Sequence, residues 1–174
     1  MTATCTYQFN PETEEGESQL SSTWNCPHET HRETDRCLFH LTPAERRKHD
    51  IDPATVASEL RQVAEQEGAN AKQVIGATFT DLELDRVIID APDRHPLDLR
   101  HITISGTCSL EAVEFRQPLK LAGAEIECLN FEEATLTERC DLRGASIVNR
   151  FNATNTVFKG DVNLEHVEFD GPVY

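Results

Sequence analysis

Lysine is nearly missing from this chain: it occurs four times in 174 residues, at Lys48, Lys72, Lys120 and Lys159. Acids outnumber Lys and Arg by 31 to 16, which leaves a net charge of -15. A surface of that sign repels a phosphate backbone, so direct binding to nucleic acid is not expected. Long apolar runs are lacking too. No stretch approaches the roughly 20 residues that a membrane-spanning helix requires. The N-terminus carries no charged segment followed by an apolar one, as a secretory leader would. A cytoplasmic chain with no membrane segment is the expectation. Signatures of catalysis are also absent. There is no G-x-S-x-G and no phosphate-binding G-x4-G-K-[ST]. Glu132 and Glu133 are neighbours, and neighbours on a strand face opposite ways. His101 and His166 fall at outward positions with no orienting partner in view. No enzyme is expected.

The acid is not gathered in one tail. Residues 1–73 hold 13 acids and 7 bases, and residues 74–174 hold 18 and 9. Even spreading points to adaptation of the whole surface rather than to one partner-binding arm. Many acids with few lysines is the habit of proteins from salt-loving archaea, where strong salt screens the self-repulsion.

Six cysteines are present, in two groups. Cys5, Cys26 and Cys37 precede residue 41, and Cys108, Cys128 and Cys140 lie far downstream. In a cytosolic chain the first group is better explained by a metal than by disulfides. Cys37-Leu38-Phe39-His40 is a C-x2-H pair, whose spacing lets both side chains face one ion. With Cys5 and Cys26 it makes Cys3His, a complete tetrahedral set for structural Zn2+ with no open position. His28 is a spare ligand candidate; otherwise it and His31 are solvated loop residues. Tyr7, Phe9, Phe39 and the only tryptophan, Trp24, supply a small core. Residues 1–41 are thus expected to be a zinc-binding knuckle, since so short a unit needs a metal to fold. Asn10 to Ser22, rich in Glu, Ser and Gly, reads as an exposed loop.

Residues 42–73 read as a helical linker and cap. Thr42-Pro43-Ala44-Glu45 is a capping box with proline in the first turn. That first helix ends in Arg46-Arg47-Lys48-His49, a basic run that suits a C-terminus and otherwise reads as a solvated face. Asp52-Pro53 opens a second helix, with Val56, Ala57, Leu60, Val63 and Ala64 in an apolar stripe. Gly68 is the natural terminator. The expected role of this helix is to cover the first coil of a repeat that begins at Val74.

From Val74 to Tyr174 a small or aliphatic residue stands two positions before a larger apolar one, about every five residues. Ala77/Phe79, Leu82/Leu84, Ala124/Ile126 and Ala134/Leu136 are examples. A period of five fits neither a helix nor a flat strand, but it fits a chain that turns a corner after each pair. Four corners make one coil of about twenty residues, and coils stack. The larger residues run from Val74, Phe79, Leu84 and Ile89 through Ile147 to Ala153, Phe158, Leu164 and Phe169, giving about four and a half coils. Six-residue steps, as from Ile104 to Leu110, are read as bulges. Ala153 is the poorest fit, with bulky Phe151 nearby. Cys108 and Cys140 take the small inward position, and Cys128 lies off it.

The stretches "ATFTDLELD", "GAEIECLNFEEATLTERCDLRGASI" and "VFKGDVNLEHVEFDG" resemble the pentapeptide-repeat family, whose pattern is A-(D/N)-L-x-x. The resemblance covers about 100 of the 174 residues. It implies a mainly β fold, a right-handed quadrilateral β-helix over 74–174, preceded by two α-helices and the Cys/His knuckle. The knuckle followed by a solenoid is similar to haloarchaeal members of the family. Some of these continue into a channel-like membrane domain, so a cytosolic sensor part of a larger membrane protein is one implied role. Acidic members imitate duplex DNA and bind type II topoisomerase, which is another. The reading placed first is a non-enzymatic interaction or scaffold module with a structural zinc. Ala91 to Pro96 breaks the repeat and reads as an extruded loop, with Asp93, Arg94 and His95 as residues to watch. Nothing in the repeat closes the last coil, so that coil is expected either to pair with a second copy or to continue into a longer solenoid.

Overall fold

The computed structural model describes residues 3–13 and 20–174. The chain is mainly β. A small head carries an antiparallel pair, β1 (Gln8–Phe9) and β2 (Trp24–Asn25). The Asn10 to Ser22 stretch lies partly outside the described residues. Two helices follow, α1 (Pro43–Lys48) and α2 (Pro53–Glu65). The capping box of α1 forms as its sequence dictates: Thr42 Oγ1 accepts from Glu45 N at 3.2 Å, and Glu45 Oε2 accepts from Thr42 N at 2.7 Å. Asp52 caps α2 by accepting from Thr55 N at 2.6 Å.

The remainder is a parallel β-solenoid of about four turns. Its first turn carries β3 (Thr78–Phe79), β4 (Leu82–Glu83), β5 (Ile88–Ile89) and β6 (Leu97–Asp98). The second has β7 (Thr103–Ser109), β8 (Glu114–Phe115) and β9 (Leu119–Lys120). The third has β10 (Glu125–Asn130), β11 (Thr135–Leu136) and β12 (Cys140–Asp141). The fourth has β13 (Ser146–Asn152), β14 (Val157–Phe158) and β15 (Val162–Asn163), and β16 (Glu168–Phe169) begins another. Phe79, Ile104, Ile126, Ile147 and Phe169 stack in register, so successive turns take 25, 22, 21 and 22 residues. The turns of 22 each hold one bulge. Ile104 to Thr107 and Ile147 to Arg150 both lie against the shorter Ile126 to Cys128. The six-residue step from Ile104 is therefore a bulge, and the same device places Phe151 opposite Leu129. Phe151 is buried and Ala153 is only half-buried, so the misfit in the repeat has a structural cause.

Corners are made by residues in the left-handed region. One column is Gly76, His101, Gly123, Gly144 and His166, and another is Arg86, Ala112, Glu133 and Asn155. Gly123 meets two demands at once. Its φ is +66°, and a Cβ there would lie 2.5 Å from the His101 ring, so only glycine fits.

The larger inward residues from Val74 to Ile147 are each 4% exposed or less. The first turn reaches that burial because α2 lies over it. Val56, Ala57, Leu60, Val63 and Ala64 are all buried in the same cluster as Phe79, Leu84 and Ile89. Among the described residues the last turn has no such cover: Leu164, which follows Leu142 in the inward column, is 47% exposed.

Three polar residues tie the cap to the solenoid. Arg46 was expected on a solvated face, yet it is buried. Its guanidinium donates to Leu38 O at 3.1 Å, Phe39 O at 2.7 Å and Thr78 O at 2.6 Å, and lies over the Phe79 ring. Gln117 donates to Ala64 O, an orphan carbonyl at the end of α2, and accepts from Ala91 N, both at 2.9 Å. Lys72 is fully buried and pairs with Asp93 of the 91–96 loop. Asp93 also accepts from Gly68 N at 2.6 Å. Gly68 thus does not terminate α2, which is capped at Gln66. It anchors the loop instead. The loop adds four residues between Ile89 and Leu97 relative to Leu136 and Cys140, and its purpose is attachment.

Two measurements test these ties. Arg46→Ala leaves three carbonyls unsatisfied, and hydrogen bonds to a charged group are worth roughly 1.5–3 kcal/mol each. Urea unfolding should register a loss of about 3 kcal/mol or more, against less than about 0.5 kcal/mol for exposed Arg47→Ala. The Asp93 carboxyl is held below the usual range, first by Lys72 and then by Gly68 N. A depressed carboxyl contributes stability that is present above its unfolded pKa of about 3.9 and is lost as pH falls through the folded value. Asp93→Asn should therefore lower Tm at neutral pH and narrow its gap to wild type below about pH 4. A gap that persists unchanged at pH 2 would refute this.

Candidate metal centre

The head brings Cys5, Cys26, Cys37 and His40 together. Their ligand atoms all lie within 4.8 Å of one another, and all four residues are buried. Three pieces of chain deliver them. Cys5 is held by its backbone, with Cys5 N donating to His28 O at 2.9 Å. Cys26 follows β2, and Cys26 N donates to Tyr7 O at 3.0 Å. Cys37 caps a single 3-10 turn, Leu38–His40, and His40 ends it. The tight spacing of that pair works as the sequence suggests, since one turn brings Cys37 Sγ within 3.1 Å of His40 Nδ1.

The distances suit a four-coordinate ion. Metal–sulfur bonds of about 2.3 Å and metal–nitrogen bonds of about 2.0–2.1 Å at tetrahedral angles put two sulfurs about 3.8 Å apart, and sulfur and nitrogen about 3.6 Å apart. Cys26 Sγ and Cys37 Sγ are 3.7 Å apart. The Sγ atoms of Cys37 and Cys5 stand 3.1 and 3.9 Å from His40 Nδ1, on either side of that value. His40 Nε2 lies 2.9 Å from Ile75 O. A carbonyl only accepts, so Nε2 carries the proton and the Nδ1 lone pair faces the sulfurs. Metal-bound histidines are oriented by such a bond to their other nitrogen. The Tyr7 ring stacks on His40 at 3.9 Å between centroids.

Electrostatics agree with thiolate chemistry. The hydrogen bond from the Cys26 thiol does most to hold Cys37 far below an ordinary thiol, against burial, which acts the other way. The same Cys37 contact and then burial push Cys26 up, and burial pushes Cys5 up. A dication bound by the thiols would displace their protons.

His28 is not in the cluster. Its Nε2 lies 2.9 Å from Gln73 O, and its ring meets Phe39 edge-on at 5.2 Å. It is half-buried rather than solvated, and burial lowers its pKa. His28 belongs to a docking surface that the sequence did not disclose. Trp24 Nε1 donates to Gln73 Oε1 at 2.8 Å, Tyr7 OH to Gly76 O at 3.1 Å, and Phe9 stacks on His101 at 4.5 Å. His101, expected to point outward, is the platform for the head. Head and solenoid share one core through these contacts. Cys108 and Cys140 are buried inside the coils, where burial raises both thiols to about 12. Cys128 is half-exposed.

No family model matches the chain, and neither a curated protein nor a solved structure matches it.

Trp24 sits 6.0 Å from His40 and is the only tryptophan, so its emission reports on this corner. Cys37→Ala removes the donor nearest to His40. The expected result is a red shift of Trp24 emission with little change in far-UV circular dichroism, because the coils keep their own ladders. Unchanged emission would show that the head docks without its donor set.

Proposed function

We propose that the chain is a non-enzymatic scaffold module: a pentapeptide-type, right-handed, four-sided solenoid whose cap is fastened by structural Zn2+ on Cys5, Cys26, Cys37 and His40. One observation carries the reading. The four donors are between 2% and 6% exposed, and the second nitrogen of His40 is committed to Ile75 O. A catalytic zinc keeps an open position for water or substrate, whereas a structural one is closed by four protein ligands. Three sulfurs and an imidazole suit zinc, which is borderline-soft and has no geometric demand of its own. Bound there, the ion would supply folding energy and no chemistry. A cytoplasmic setting fits six unpaired thiols, since such compartments keep them reduced.

The DNA-mimic reading gains little support. Solenoid acids are answered by arginines on adjacent turns, as in Arg86 with Glu111, and Arg116 with Asp90 at 3.2 Å. Mimicry needs unbroken acidic strips. The inward-column Leu164 at 47% exposed, with Tyr174 at 61%, favours pairing with a second copy. The other end lies under α2, so stacking would run tail to tail.

Elemental analysis and solution mass test both parts. One zinc per chain is expected, lost in Cys37→Ala, and a metal-free chain with native Trp24 emission would overturn the zinc reading. A dimer that Leu164→Asp dissociates is expected, and a monomer at high concentration would overturn the pairing.

A further inference from the structure

Five of the seven histidines sit where the head meets the rest of the chain. His28 and His40 stand beside and within the donor set, whose protons a metal would govern. His31 and His101 stand apart from it, at two separate seams. At the first, the His31 ring of the head meets His49, the residue that caps the end of α1, edge-on at 6.2 Å. At the second, Phe9 of the head stacks on His101 at 4.5 Å. Gly123 of the next turn closes on the same ring, where a Cβ would lie 2.5 Å from Nδ1. Both rings spring from fixed backbone. His31 N donates to Arg36 O at 2.7 Å, and His31 O accepts from Thr34 Oγ1 at 2.6 Å. His101 N donates to Ala122 O at 3.0 Å. The side chain is therefore the part that can move.

The two rings share a second feature. Among the described residues, His31 Nε2 and His101 Nε2 are buried ring nitrogens that meet no hydrogen-bond partner. An imidazolium donates from both nitrogens, and a buried cationic N–H without an acceptor bears its full desolvation cost. A neutral ring bears far less. The charges around each ring act as follows. Arg100 opposes a proton on His101, and Asp98 favours one. From the head, Phe9 carries no charge, and Tyr7 OH donates to Gly76 O at 3.1 Å. Arg32 of the same loop and His49 of α1 oppose a proton on His31, and Glu59 of α2 favours one. The Arg36 guanidinium lies over the Tyr7 ring. For both rings burial is the first cause, and it holds them below the ordinary imidazole value.

We propose that His31 and His101 form an acid-released clasp: while neutral they seat the head on α1 and on the solenoid, and on protonation both rings leave their seats and the head lifts. The inference goes beyond the scaffold reading and contains no step at the metal. Cys5, Cys26, Cys37 and His40 all belong to the head, so a bound ion would travel with it. Release uncovers the corner of His101 and Gly123 on which Phe9 lay. The direction follows from linkage. A ring that binds a proton less readily docked than released gives docking a stability that is whole above the released value of about 6.5. That stability is lost as pH falls below about 6.5 toward the docked value. Between about pH 7.5 and about pH 5.5, one such ring weakens docking up to about tenfold, and two weaken it up to about a hundredfold.

The test is release of the head by urea in the full chain, at those two pH values and constant salt. Trp24 emission reports it, since Trp24 Nε1 donates across the seam to Gln73 Oε1. Metal content is measured at both pH values. The docked-to-released ratio of wild type should fall more than about tenfold on acidification. In a chain carrying both His31→Gln and His101→Phe, the fall should be at least about tenfold smaller. Neither substitute titrates, and Phe keeps a ring against Phe9. Metal content should be equal in the two proteins. Should the double variant not fold, proton NMR of the wild-type rings takes its place, and both should titrate below about 6.5 while the head is docked. An equal fall in wild type and double variant overturns the proposal, because the protons then bind elsewhere, at the thiols or at His28. A wild-type fall of less than about threefold, a loss of metal in wild type that the double variant does not share, or either ring titrating above about 6.5, overturns it as well.

Discussion

A stacked coil can satisfy its backbone and bury its interior only against another coil. Every inward residue from Val74 to Ile147 is sealed because a turn or a cap lies on both sides of it. The ladder bonds run the same way, as from Leu99 N to Lys120 O and from Leu121 N to Asp141 O. The interior of such a fold is stable by repetition. Its ends are not, and most of the irregular chemistry of this chain is concentrated at one of them. Helix α2 supplies apolar cover, while Arg46, Lys72 and Gln117 meet the polar groups that an apolar lid would strand. Each is long and carries several donors, so each can reach from one element into the carbonyls or carboxylate of another.

The repeat, the two capped helices and the donor set were legible because each rests on local spacing. Inward pairs alternate with corners, Thr42 and Asp52 stand where caps are needed, and Cys37 and His40 share one turn. The docking of the head was not legible. His101 under Phe9, Gln73 under Trp24, and Ile75 O on His40 join residues that are 35 to 92 positions apart, and no periodicity encodes them. Burial of Arg46 and Lys72 was hidden for a related reason. Charge and local pattern assign Arg46 to solvent and say nothing of Lys72, and only the meeting of α1, the loop and the first turn makes a buried cation tolerable. The 91–96 insertion was visible as a departure from the repeat, but its role was not. Asp93 is occupied with Lys72 and Gly68, so the loop serves attachment rather than recognition.

The donor set explains why the head can be so small. Among the described residues its buried side chains are few: Cys5, Phe9, Cys26, Cys37 and Phe39, with His40 and Leu41. Cysteine is a small hydrophobe while protonated, but the hydrogen bond from Cys26 favours the charged form of Cys37, and an isolated buried charge is among the most destabilising things a protein interior can hold. An ion at the centre would turn that penalty into attraction for every donor at once. It would also fix the His40 ring, whose Nε2 is bonded to Ile75 O, the first carbonyl level of the solenoid. The donor cluster and the start of the repeat are joined through that bond. Loosening one should loosen the other at Trp24, while the turns from Ile104 onward, whose neighbours are only other turns, remain standing.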